Sequence, residues 1–289
     1  MRKIKMTLQA RPTLEGAGVK LKRVFGNDEV SLLDPFLLLD HFGSANPNDY
    51  LAGFPWHPHR GIETITYMIR GELEHKDSLG NGGVIHNGDI QWMTAGSGII
   101  HQEMPQITEG MMRGFQLWAN LPSTHKMMDP RYRDIIAEMI PVVINDGTEV
   151  KIVSGEYNGV KGPVQDIITK PQYYDVKISS DSEFTHHFPK GHTVFAYIFE
   201  GKGFFDENKD PLKKAGQLIL YGDGEDINIF AKDQLRFLLV SGKPIREPVA
   251  WYGPIVMNTQ KELEIAFKEF REGTFLKSPG NINFEFWKQ

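Results

Sequence analysis

Residues 60–71 read Arg60-Gly61-Ile62-Glu63-Thr64-Ile65-Thr66-Tyr67-Met68-Ile69-Arg70-Gly71, a β-branched and aromatic run between two glycine turns. Branched and aromatic side chains fit a pleated, half-buried surface, and glycine supplies the positive φ of tight turns, so the stretch predicts a strand over 62–70. Its landmarks occur a second time. Lys190-Gly191, Tyr197 and Glu200-Gly201 enclose the strand-like residues 192–199, and Gly216-Gln217-Leu218-Ile219-Leu220 follows them as Gly88-Asp89-Ile90-Gln91-Trp92 follows the first copy. A repeat spaced by about half the chain implies two copies of one barrel.

Outward from the repeat, the sequence predicts further short strands over 89–93, 113–119, 173–178 and 235–240, bounded by turn formers such as Gly80-Asn81-Gly82-Gly83 and Gly222-Asp223-Gly224. The fold class expected is all-β, two tandem jelly-roll-like barrels. A helix stands near the C-terminus, where Thr259 and Glu262 form a capping box and Leu263, Ala266, Phe267 and Phe270 follow at helical spacing before Gly273. Pro122, Pro130 and Pro141 mark the division. The expected domains are residues 1–135 and residues 136–289, the helix belonging to the second.

The 289 residues are 40% hydrophobic and 24% charged, the composition of a globular chain with a substantial core. A net charge of −5 argues against a nonspecific polyanion binder, which needs a basic surface to release counterions, so no direct nucleic-acid partner is expected. The absence of cysteine excludes disulfides, thiolate metal sites and cysteine nucleophiles together. With no apolar run of about 18 residues and no signal-peptide pattern in residues 1–10, no membrane partner is expected and a cytoplasmic location is the default.

Any metal must therefore sit on imidazoles and carboxylates. His57-Pro58-His59 and His101-Gln102-Glu103 offer both. In a strand, residues i and i+2 project to one side roughly 6.5–7 Å apart, so each triplet presents two ligands on one face. Pro58 is tolerated at a strand edge. Glu63 shares the parity of His57 and His59 and is an alternative carboxylate, although a bulge between His59 and Glu63 would change that parity.

The blocks Asp34-Pro35-Phe36-Leu37-Leu38-Leu39-Asp40, Phe54-Pro55-Trp56-His57-Pro58-His59-Arg60-Gly61 and Gly88-Asp89-Ile90-Gln91-Trp92-Met93-Thr94-Ala95-Gly96, with His101-Gln102-Glu103-Met104-Pro105, resemble the signature blocks of pirins. The likeness is dense over 34–121 and looser beyond, where Asn258-Thr259-Gln260 also fits. It implies a two-barrel cupin with one non-haem Fe²⁺ in the N-terminal barrel on His57, His59, His101 and Glu103. The general cupin pattern is met loosely: its carboxylate would be Glu63, and Thr94 stands where it has proline.

In the second copy His57 aligns with His187 and His59 with Pro189. No His or Glu occurs around 227–232, where the second triplet would fall, so that barrel is expected to be metal-free. His41, His75, His86, His125 and His192 are expected to be ordinary surface or hydrogen-bonded histidines.

Three imidazoles and one carboxylate suit a divalent transition metal better than Mg²⁺ or Ca²⁺. Four protein ligands leave two octahedral positions for dioxygen and substrate, whereas tetrahedral zinc would be closed. The resemblance implies a quercetin 2,3-dioxygenase-type activity, opening a flavonol ring with O₂, with Glu103 as catalytic base. Phe54, Trp56, Met93 and Phe115 are candidate wall residues. The alternative that the resemblance implies is of a different class, an iron-dependent redox-sensing regulator that acts as a transcription cofactor or metabolic-enzyme partner through protein–protein contact.

Overall fold

The run that opens the repeat is the nine-residue strand Ile62–Arg70, buried along most of its length. It lies inside a seven-stranded antiparallel sheet in the order Arg131–Ile135, Ile90–Thr94, Ile62–Arg70, Met112–Asn120, Phe36–Ser44, Val19–Phe25, Arg11–Glu15. A four-stranded sheet, in the order Phe54–His59, Ile99–Pro105, Leu73–Asp77, Gly82–Ile85, faces it. Val19, Leu21, Phe42, Met68 and Met112 of the larger sheet pack against Leu73 and Ile85 of the smaller one. Apolar burial at about 25 cal/mol per Å² closes the barrel at this end. The computed structural model describes residues 1–278 apart from Glu109 and Asp210.

The second copy repeats the plan. Its seven-stranded sheet runs Ile4–Gln9, Gln217–Tyr221, Thr193–Glu200, Leu235–Gly242, Gln172–Ile178, Thr148–Ser154, Val142–Asn145, and its four-stranded sheet runs Glu183–His187, Asp226–Ala231, Lys202–Phe204, Lys213–Lys214. Thr193–Glu200 thus occupies the place of Ile62–Arg70, and Glu183–His187 the place of Phe54–His59. The all-β double barrel expected from the repeat is the fold observed.

The termini depart from a cut at 135/136. One compact unit comprises Met1–Arg11, Val24–Pro35 and Glu138–Pro244; the other comprises Pro12–Arg23, Phe36–Ala137 and the chain from Ile245 onward. Ile4–Gln9 pairs with Gln217–Tyr221, filling in the second barrel the edge that Arg131–Ile135 fills in the first. The C-terminal helix, expected with the second barrel, belongs to the first. Proline clusters mark where the chain turns, but an open sheet edge decides which barrel a terminal segment joins.

That helix, Gln260–Glu272, has the anticipated capping box: Glu262 N donates to Thr259 Oγ1 at 3.2 Å, and Thr259 N donates to Glu262 Oε2 at 2.8 Å. Gly273 ends it at φ +73°. Leu263 and Ala266 pack on Ile255, Met257 and Phe275, and on Ile100, which lies on the outer face of the small sheet.

The strap that carries the helix is tied to the first barrel by two buried basic side chains. Arg60 donates to Ser97 O at 2.7 Å and Phe275 O at 2.6 Å, pairs with Glu269 at 2.8 Å and lies 4.1 Å over the Phe275 ring. Lys126 Nζ donates to Gly61 O, Asn120 Oδ1 and Val256 O at 2.6–3.0 Å. Gly61 has φ +78°, and a Cβ there would collide with the Val256 carbonyl, so the strap's approach requires glycine.

Candidate metal centre

Phe54–His59 is the edge strand of the small sheet, where the missing N–H of Pro58 costs no ladder bond on the open side. It pairs antiparallel with Ile99–Pro105 so that His57 lies opposite His101 and His59 opposite Ile99. Alternation turns His57, His59 and His101 inward and sends Ile100 outward to the helix. Their ring nitrogens converge: His57 Nε2 lies 3.0 Å from His59 Nε2 and 3.0 Å from His101 Nε2. Among the described residues, these three form one group whose ligand atoms all lie within 4.8 Å of one another.

The outer nitrogens fix the tautomers. His57 Nδ1 lies 2.9 Å from Pro55 O, and His59 Nδ1 lies 2.9 Å from Pro254 O. A carbonyl only accepts, so both Nδ1 atoms carry the proton and both Nε2 atoms present lone pairs. His101 Nδ1 faces His75 Nδ1 at 3.5 Å, and His75 Nε2 faces Asp77 Oδ2 at 3.4 Å. With Asp77 accepting a hydrogen bond from His75 Nε2–H, His75 Nδ1 becomes the acceptor for His101 Nδ1–H.

Asp77 is held in turn by the backbone N–H groups of Leu79 and Asn81 and by the Asn81 amide, at 2.9–3.0 Å. Three lone pairs meeting within 4.8 Å, two of the separations being 3.0 Å, repel one another unless a cation lies among them, so the donor set fits a metal ion. Burial lowers the pKa of all three imidazoles, of His59 and His101 to well below the usual histidine range, which keeps them in the neutral form that ligation requires.

The two candidate carboxylates separate cleanly. Glu103 lies opposite His75 on the inward face, and its Oε1 accepts from Thr66 Oγ1 at 2.8 Å. It stands outside the converging group of three, and burial raises its pKa. Glu63 is three residues before Thr66 on the same strand, hence on the opposite face. There it lies beside Thr94, whose Oγ1 donates to it at 2.8 Å, and burial pushes its pKa up to about 7. The shared parity with His57 and His59 does not bring Glu63 to them, because it belongs to the other sheet.

Of the wall candidates, Met93 pairs with Thr64 on the inward face and Phe54 packs into the barrel's apolar end. Trp56 lies outside, with the helix cluster, and Phe115 pairs with Tyr67 on the face away from the histidines. Sequence reasoning missed Trp118, whose ring meets His59 edge-on at 5.0 Å, and the support given by His75 and Asp77. The alternation His75-Lys76-Asp77, the same i, i+2 spacing as His57 and His59, was the available signal. His75 is hydrogen-bonded as anticipated, but fully buried and stacked on Tyr132 at 4.8 Å.

In the second barrel the alignment of His57 with His187 is off by one residue, which in a strand means the opposite face. His187 is an exposed residue facing Asp226 at 2.9 Å. His186 points inward among Tyr157, Tyr174, Phe184 and Phe188. Opposite it, the place of His101 is taken by Ile227, and Phe184, Phe237, Ile227 and Ile229 belong to one hydrophobic core cluster.

Comparison with known proteins agrees with this architecture. The family model Pirin matches residues 18–119, and the Pirin C-terminal cupin domain matches residues 173–276. A Pseudomonas aeruginosa protein provisionally named quercetin 2,3-dioxygenase is 42% identical over 268 residues, covering 91% of this chain and 94% of its own. Human Pirin is 39% identical over 275 residues, covering 93% of this chain and 92% of its own. The crystal structure of a quercetin 2,3-dioxygenase from Acinetobacter baumannii superposes with a TM-score of 0.89 at 34% identity, covering 96% of this chain and 99% of that one. With both halves matched and its three inward histidines in place, the chain belongs to the pirin family of two-domain cupins.

Proposed function

We propose that the first barrel is a dioxygenase centre of the quercetin 2,3-dioxygenase type, with Fe²⁺ held by His57, His59, His101 and Glu103. The observation that carries this is the set of three converging imidazoles, His59 and His101 buried and His57 half-buried, whose protons are committed outward and whose lone pairs meet inside the barrel. The names of similar proteins from Pseudomonas aeruginosa and Acinetobacter baumannii support the same substrate class, a flavonol and O₂.

An iron ion bound there would supply Lewis acidity toward a flavonol oxygen and redox access to dioxygen. The chain's own groups do the rest. His75 and Asp77 hold His101 in one tautomer, and Thr66 holds Glu103 on the inward face. Glu103 is the carboxylate on that face able to take the proton of the flavonol hydroxyl, and its upward pKa shift brings it closer to a general base's working range. Met93 and Trp118 offer apolar surface beside the histidines.

The test is to load metal-free protein with Fe²⁺ under anaerobic conditions, add flavonol and O₂, and follow substrate loss and carbon monoxide release. Turnover that disappears in His57→Ala supports the proposal, and absence of turnover in fully loaded protein contradicts it. Glu103→Gln with full activity would remove Glu103 from the base role.

A further inference from the structure

Among the described residues, three buried polar atoms on the inward face of the large sheet have no hydrogen-bond partner: Thr64 Oγ1, Gln91 Oε1 and Trp118 Nε1. Register places their side chains together. Thr64 lies opposite Met93 on one side and opposite Trp118 on the other, and Gln91 lies opposite Thr66. Thr66 reaches Glu103 across the barrel, which fixes this face as the one toward the histidines. The Trp118 ring is edge-on to His59 at 5.0 Å.

Gln91 is held by its other end, its Nε2 donating to Tyr132 Oη at 3.4 Å, so its carbonyl is the end left over. Thr64 and Gln91 are each 1% exposed. A buried polar atom without a partner carries a desolvation cost, so three on one face, next to a converging ligand set, mark a surface built for a polar guest.

The three have distinct chemistry. Indole N–H only donates, an amide oxygen only accepts, and a threonine hydroxyl does both. A complementary guest therefore carries at least one oxygen acceptor and one hydroxyl donor on a frame flat enough to lie along Trp118 and Met93. We propose that Thr64, Gln91 and Trp118 form a hydroxyl-reading subsite that selects polyhydroxylated aromatic ligands over the same ring system without peripheral hydroxyls. This rests on the flavonol-binding reading of the metal centre and extends it from chelation to selectivity. The three are binding residues for the guest's periphery, not ligands of the metal.

The test uses Fe²⁺-loaded protein under anaerobic conditions, so that binding is read without turnover. Quercetin and 3-hydroxyflavone share the chelating 3-hydroxy-4-keto group and differ in the remaining hydroxyls. Dissociation constants come from tryptophan fluorescence or calorimetry. Wild type should bind quercetin more tightly than 3-hydroxyflavone. Thr64→Val, nearly isosteric but without the hydroxyl, should cut that preference roughly fivefold, the effect of losing one net hydrogen bond. Trp118→Phe should do likewise, while Thr64→Ser should keep the preference and so control for packing damage.

An unchanged ratio in both Thr64→Val and Trp118→Phe, an equal loss for both ligands, or no binding of either ligand by wild type overturns the subsite. Selective binding without turnover under O₂ would leave the subsite standing and refute the dioxygenase reading. Turnover with an unchanged ratio would do the reverse.

Discussion

Replacing His75 by phenylalanine separates metal affinity from fold stability. The ring is fully buried and stacks on Tyr132 at 4.8 Å, a contact that a phenyl group of similar size preserves. Two polar contacts are lost, to His101 Nδ1 at 3.5 Å and to Asp77 Oδ2 at 3.4 Å. Both lie at the long limit for hydrogen bonds, so their direct contribution to folding is small, and Asp77 keeps its three donors at 2.9–3.0 Å. The cost to the metal-free protein should stay below about 1.5 kcal/mol.

The effect on the ligand set is larger. Without an acceptor at Nδ1, His101 can place its proton on Nε2, the atom that must ligate, and can rotate. Losing such an outer partner typically weakens metal binding about 10- to 100-fold, or roughly 1.4–2.8 kcal/mol. Competition against a chromophoric chelator measures the affinity, and thermal unfolding of the metal-free protein measures the fold. Unchanged metal affinity in His75→Phe would refute the account of how His101 is held.

Glu63→Gln should leave metal affinity unaltered, since Glu63 lies on the face away from the histidines, and a fall of tenfold would contradict that placement. The same variant should flatten a pH dependence. Burial raises the folded-state pKa of Glu63 from 4.5 to about 7, so the folded chain binds the proton more tightly. Its contribution is most favourable below the unfolded value and declines as pH rises through the folded one. The wild-type melting temperature should fall between about pH 5 and about pH 8 by more than that of Glu63→Gln, and equal falls would contradict the assignment.

Lys126→Met removes three hydrogen bonds and leaves three buried acceptors, which should cost about 3 kcal/mol, read by chemical denaturation. By loosening the strap that carries Pro254 it should also weaken metal binding, and unchanged values of both would show that the strap is held by other contacts.

The sequence carried much of the fold and site because both are written in local periodicity. The i, i+2 spacing of His57 and His59 survives as two inward rings, and the landmarks around Tyr67 and Tyr197 mark equivalent central strands. What was not legible depends on pairing between distant segments. Nothing local to Ile4–Gln9 says that it completes the barrel of Gln217–Tyr221, and nothing local to Pro254 says that its carbonyl orients His59.

Parity counting failed where it crossed from one sheet to another. Glu63 shares an odd number with His57 but belongs to the larger sheet. It failed again where a one-residue offset in the repeat exchanged His186 for His187. Phe115 illustrates a further limit: both faces of Met112–Asn120 carry large apolar side chains, Met112 and Trp118 on one and Phe115 and Leu117 on the other, so composition does not distinguish the face toward Met93 from the other.

The central claim is that His57, His59 and His101 share one ion in the first barrel. Metal content after anaerobic Fe²⁺ loading and removal of excess tests it most directly, compared between wild type and His57→Ala with both confirmed as folded by circular dichroism. One ion per wild-type chain and none retained by His57→Ala is the predicted result. Equal metal content in the two proteins, or two ions per wild-type chain, would contradict it.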